Sequence, residues 1–132
     1  MAAQRVLVVE DNERNMKLFR DVLAASGYRT LEATTGSQAV ELAQRHIPDV
    51  VLMDVQLPDL DGVEALRRIR TDARTAFVPV VAVTAQAMDG DRERFLRAGF
   101  DDYLPKPVDV AELLGLVRRY GTEVRRPSAS DS

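Results

Sequence analysis

Four stretches of this chain end in residues that can handle a phosphoryl group. Glu10 and Asp11 follow the apolar run Val6-Leu-Val-Val9, and Asp54 follows Val50-Val-Leu-Met53. Thr84 follows Val80-Val-Ala-Val83, and Lys106 follows Asp-Tyr103-Leu-Pro. Taken singly, each has a plain reading. An Asp after a strand is a turn former or a helix cap, a Thr there is a β-branched strand residue, and a lone Lys is solvated. Together they are a chemical set. Crowded carboxylates repel and raise one another's pKa unless a cation sits among them. Oxygen donors with room for water suit Mg²⁺, which is held by one or two carboxylates plus a phosphate. A Lys ammonium suits a phosphate oxygen as a point charge, and a Thr hydroxyl can donate to another. A carboxylate can itself be the nucleophile and form an aspartyl phosphate. Nucleophile, metal and charge-neutralising groups are the parts phosphoryl transfer requires.

The elements that must position them can be read in order. Arg5–Val9 is a buried strand, and Asp11 or Asn12 caps a helix with Met16, Phe19, Val22 and Leu23 on one face, closed by Ser26-Gly27. Residues 28–33 alternate as a strand nearer a sheet edge, and a helix runs from Ser37 to His46 with Ala39, Val40 and Ala43 inward, stopping before Pro48. Asp49 to Asp54 is the central strand, because an unbroken apolar run reads as buried on both faces. After the loop Val55-Gln-Leu-Pro58-Asp-Leu-Asp61, a helix opens at Gly62 or Val63 and is expected to bury Val63, Leu66 and Ile69. Val78–Val83 reads as a strand, Met88–Leu96 as a short helix closed by Ala98-Gly99, and Asp101–Leu104 as a short strand. Asp109-Val-Ala-Glu112 has the form of a capping box. It opens a last helix with Val110, Leu113, Leu114 and Val117 inward, ended by Gly121. Met16, Met53 and Met88 read as core fillers, and His46 as a helix-end residue rather than a phosphate donor. The pattern is five strands alternating with five helices: one parallel sheet covered on both faces. In such sheets ligands sit beyond the carboxyl ends of the strands, the edge where all the chemical residues fall.

Composition narrows the class. The 132 residues suit one domain, and 45% hydrophobic with 30% charged content is that of a globular protein. There is no Cys, hence no disulfide framework and no thiolate metal site. A net charge of −3 supplies no broad basic footprint for nucleic acid. The apolar runs are too short to span a bilayer, and residues 1–5 lack the pattern of a signal peptide. A cytoplasmic protein is expected.

The same stretches resemble the receiver domains of two-component response regulators. The resemblance covers about residues 4 to 121. It rests on Val-Val-Glu10-Asp11-Asn, Leu-Met-Asp54-Val-Gln-Leu-Pro58-Asp-Leu-Asp-Gly62, Val-Val-Ala-Val-Thr84-Ala, Ala-Gly99-Phe-Asp-Asp-Tyr103 and Leu-Pro-Lys106-Pro107. It implies a flavodoxin-like (βα)5 fold with strand order 2-1-3-4-5. Residues 1–121 would form the domain, with a frayed tail at 122–132. It implies Asp54 as phosphoacceptor. Mg²⁺ would be held by Asp11, Asp54 and the backbone carbonyl of Gln56, with Glu10 acting through water. Thr84 and Lys106 would bind the phosphoryl group, and Lys106–Pro107 would be a cis peptide. Thr84 and Tyr103 would form the switch that alters a surface of the fourth helix, fifth strand and fifth helix. The donor would be a sensor histidine kinase or a histidine phosphotransfer protein, and the protein a monomer by default, with a dimer on phosphorylation open. Glu10 departs from the commoner Asp, which lengthens the arm and makes a direct metal contact less secure. Gln56 and Gln86, each two residues after a site residue, are expected to tune dephosphorylation. An unchanged rate in Gln56→Ala and Gln86→Ala would refute that.

Three rivals are weaker. An aspartate-nucleophile phosphatase of the haloacid dehalogenase type needs a second Asp where Gln56 stands, and an amide cannot transfer the proton. A flavodoxin-like flavin carrier needs a hydroxyl-rich phosphate loop where Glu10-Asp11-Asn-Glu13 is anionic. A phosphate-independent scaffold would lack Asp54 or Lys106. Met1 and the thinning tail favour a single-domain regulator acting through partners. A receiver excised from a hybrid kinase or a larger regulator is the alternative.

Overall fold

The computed structural model describes residues 4–85 and 90–122. The strands are β1 (Arg5–Val9), β2 (Arg29–Ala33), β3 (Val50–Asp54), β4 (Val80–Thr84) and β5 (Asp102–Pro105). The helices are α1 (Glu13–Ala25), α2 (Gly36–His46), α3 (Gly62–Thr71), α4 (Asp91–Ala98) and α5 (Val110–Thr122). The strands form one parallel sheet in the order β2-β1-β3-β4-β5. The expected fold class and order are therefore found.

Side-chain alternation along the strands divides the core. Leu7, Val9, Val51, Met53, Val80 and Ala82 pack with α2, α3 and α4 through Ala39, Ala43, Leu66, Ile69 and Phe95. Val6, Val8, Val50, Leu52, Val81, Val83 and Leu104 pack with α1 and α5 through Phe19, Leu23, Leu113 and Val117. Each inner strand is apolar on both sides because a helix covers both.

Several expectations are corrected. Val63 is 42% exposed and Val110 41% exposed, so neither faces the core. Each stands in the first turn of its helix, beyond the rim of the sheet, and Ala65 takes the inward position in α3 beside Leu66 and Ile69. β4 begins at Val80, past Pro79. α4 begins at Asp91, with Gly90 as its N-cap in the left-handed region (φ 88°), and runs to Ala98. Gly121 does not end α5, which reaches Thr122. Met88, Gln86 and residues 123–132 lie outside the described residues.

Candidate functional site

Sheet register assembles the site. Val8 pairs with Leu52 on adjacent strands, so Glu10 and Asp54, two residues further along each, continue the same face. Asp54 pairs with Val83, and Thr84 with Pro105. The Lys106 backbone N–H donates to the Thr84 carbonyl at 2.7 Å, which carries the sheet pairing one residue past β5. The Lys106–Pro107 peptide is cis.

Asp54 is 5% exposed. Its Oδ1 accepts from the Gln56 backbone N–H at 2.9 Å and its Oδ2 from Lys106 Nζ at 3.1 Å. Glu10 is 1% exposed. Its Oε2 accepts from the Asn12 backbone N–H at 3.1 Å and from Asn15 Nδ2 at 3.4 Å. Its Oε1 lies 3.0 Å from Lys106 Nζ as an ion pair, yet has no hydrogen bond of good geometry among the described residues. Lys106 is thus one ammonium shared by two buried carboxylates. Asp11 is exposed at the mouth, and one oxygen each from Glu10, Asp11 and Asp54 lies within 4.8 Å of the others.

Three carboxylates against one ammonium leave excess negative charge. Burial raises Glu10 above its ordinary carboxylate value; the Lys106 ammonium 3.0 Å away opposes this and the Asp54 charge adds to it. Burial alone would lower Lys106, but the Glu10 and Asp54 carboxylates beside it more than offset that and raise it. A hard divalent cation answers both features. Bound there, it would neutralise the surplus charge and would give Glu10 Oε1 a partner, directly or through a water.

This predicts a pH dependence. An acid with a raised folded-state pKa stabilises the fold below its unfolded value, and that contribution is lost as pH rises through the folded value. In chelator, the advantage of Glu10→Gln over the unaltered chain in thermal midpoint should grow as pH rises above the ordinary value of 4.5. Melting curves across roughly pH 4 to 8 check this; a pH-independent difference would contradict it.

Thr84 is buried at the end of β4. Tyr103 is half-buried, its ring 6.1 Å from that of Phe95 on α4. Gln56 is exposed at the start of the loop. Gln86 was an expected neighbour of the site and lies outside the described residues. His46 is the last residue of α2, at the end of the fold away from these groups.

Sequence reasoning passed over three supporting contacts. Asn15 holds Glu10, as above; its place three residues after the Asn12 cap is the signal that marks it. Asp59 accepts from backbone N–H groups of α2. Asp102, read only as a strand residue, is a buried carboxylate accepting from Arg92 Nη1 at 2.9 Å and the Tyr120 hydroxyl at 3.0 Å. The last two join residues too far apart in sequence for spacing to reveal them.

Among the described residues no helix is long and apolar enough to cross a membrane. The response regulator receiver domain family matches residues 6–118. The polar-differentiation response regulator DivK of Brucella ovis is 45% identical over 115 residues, covering 87% of this chain and 94% of the relative. A similar fold is seen in the receiver domain of sensor histidine kinase PA1611 from Pseudomonas aeruginosa, solved with a magnesium ion coordinated in its active-site cleft. Its TM-score is 0.85 at 43% identity, covering 92% of this chain and all (100%) of that one. Chemotaxis protein CheY4 of Vibrio cholerae gives a TM-score of 0.83 at 26% identity, covering 90% and 99%. The acidic cluster at the strand ends, the 2-1-3-4-5 sheet and the family match over nearly the whole chain agree: this chain belongs to the response regulator receiver domain family of two-component signalling.

Proposed function

We propose that Asp54 accepts a phosphoryl group from a partner's phosphohistidine. The observation that carries this is the buried Asp54 carboxylate bonded to Lys106, with Glu10 and Asp11 beside it. Receiver domains take phosphate from histidine kinases, so the donor histidine belongs to a sensor kinase or a histidine phosphotransfer protein. An Asp54 carboxylate oxygen forms the new O–P bond as the donor's P–N bond breaks. The electron pair of that bond returns to the imidazole ring.

In this reading Asp11, Asp54 and the Gln56 backbone carbonyl hold Mg²⁺, and Glu10 reaches it through water. The ion, when bound, neutralises charge on the transferring phosphoryl group. Lys106 Nζ moves from Asp54 to a phosphoryl oxygen, and the Thr84 hydroxyl takes another. Thr84 moving toward the phosphoryl group, with Tyr103 following, would alter the α4–β5–α5 surface for partner binding. Gln56, together with Gln86, would set the phosphoryl lifetime. Residues 1–121 form the receiver unit in this reading. The chain is as similar to DivK as to a kinase-borne receiver, and the same chemistry is proposed for either setting.

The test is incubation with acetyl phosphate, with Mg²⁺ or with chelator, followed by intact mass spectrometry. A gain of one phosphoryl group that needs Mg²⁺ is expected. No gain from a folded protein in either condition would overturn the reading and leave a phosphate-independent binding role.

A further inference from the structure

Between β3 and α3 the chain crosses the top of the sheet without regular structure, and this crossing carries Gln56. Its two ends are tied. Val55 N–H donates to the Val83 carbonyl at 3.1 Å, and Gly62 N–H returns to the Val55 carbonyl at 3.0 Å. Between them Gln56, Pro58 and Asp59 are exposed, while Leu57 and Leu60 are partly buried against the core. A long-range polar contact adds to that packing. Asp59 Oδ1 accepts from the Gly36 backbone N–H at 2.7 Å, and Oδ2 from that of Ser37 at 3.0 Å. These are the first two N–H groups of α2.

The first N–H groups of a helix have no partner within it, and the helix dipole favours an anion there. α2 already has a local cap, since Thr35 accepts from the Gln38 N–H at 3.1 Å. A local cap is the ordinary means of starting a helix. The Asp59 carboxylate adds a second one from 22 and 23 residues away. The Ser37 hydroxyl, then the backbone N–H groups of Ser37 and Gly36, hold Asp59 well below the usual carboxylate range, so it is an anion at neutral pH. The fit is close beside it as well. A Cβ on Gly36 would stand 2.6 Å from Leu60 Cδ1 and 3.4 Å from Asp59 Oδ1, so the glycine leaves room for the Leu60 side chain in its present position.

We propose that Asp59 is a positioning residue for the metal site. By clamping the 55–61 crossing onto the N-terminus of α2, it fixes the direction of the Gln56 carbonyl, three residues before it. This rests on the reading above in which that carbonyl is a metal ligand. Asp59 touches neither metal nor phosphoryl group. It acts by holding the backbone that presents a ligand, as outer-shell partners of metal ligands do.

Thr35 supplies the control. Thr35→Ala and Asp59→Ala each remove a cap from the same helix end, but only Asp59 belongs to the crossing. Calorimetric Mg²⁺ titration and melting curves in chelator would be run on the unaltered chain, on both variants and on Asp59→Asn. Both alanine variants should lower the thermal midpoint by a few degrees. Only Asp59→Ala should weaken Mg²⁺ binding, by roughly three- to tenfold. Asp59→Asn keeps one acceptor but turns an amide N–H₂ toward a backbone N–H, and should fall between. Equal Mg²⁺ affinity in Asp59→Ala and the unaltered chain would overturn the clamp and leave the metal site standing. So would an equal loss in Thr35→Ala, because the effect would then belong to α2 itself. No Mg²⁺ uptake by the unaltered chain would overturn the metal reading and the clamp together.

Discussion

Asp54→Asn is expected to take up no phosphoryl group from acetyl phosphate at any Mg²⁺ concentration, while remaining folded. The amide is nearly the same size, and its oxygen can still accept the Gln56 N–H that Oδ1 accepts at 2.9 Å. Its nitrogen then faces Lys106 Nζ, where Oδ2 now accepts at 3.1 Å, so two donors meet in a site that is 5% exposed. The amide also has no carboxylate oxygen to form the acyl phosphate. One negative charge is lost from the cluster with Glu10 and Asp11, so Mg²⁺ binding should weaken in the same variant. Intact mass spectra of the two proteins side by side decide it. Equal phosphoryl uptake would move the acceptor to another residue.

The largest loss of stability is expected from Gly62→Ala. A Cβ at Gly62 would lie 2.7 Å from Val55 Cα and 2.8 Å from the Asp54 carbonyl oxygen. Both are backbone: Asp54 ends the fully buried β3, and Val55 follows it with its N–H held by the Val83 carbonyl. Neither side can yield without moving β3 or the start of α3. Overpacking of this kind costs about 3 kcal/mol, which for a domain of this size is a fall of roughly 10 °C in Tm. Gly36→Ala is the comparison, because its close neighbour is the end of the Leu60 side chain, which can swing aside. Urea unfolding of both variants checks the ranking. A milder effect at Gly62 than at Gly36 would show that the β3–α3 junction is more yielding than its contacts imply. Gly62→Ala should also reduce phosphoryl uptake, since relief of the overlap displaces the residues next to Asp54.

Much of this was legible in the sequence because it depends on local patterns. The runs before Glu10, Asp54 and Thr84 are apolar at every position, which states that helices cover both faces of the sheet. Asn12 and Asp109 mark helix starts by residue type and offset, and each side chain accepts from an N–H two or three residues on. Period alone was insufficient at Val63 and Val110. Both fit an inward helical stripe, but whether a first-turn residue meets the sheet depends on where the helix axis passes its rim.

The sequence by itself determined which side chains stand at the carboxyl ends of the strands, because a parallel sheet puts all those ends on one edge. Only the tertiary structure decided what they do to one another. Register across β1, β3, β4 and β5 set Lys106 within 3.1 Å of both Glu10 and Asp54 and left Glu10 Oε1 without a well-aligned donor. The docking of helices on that sheet brought Asp59 to the end of α2 and Asp102 between Arg92 and Tyr120. Those contacts span elements far apart in the chain. Their distances come from the packing of helices on the sheet, which no local spacing encodes.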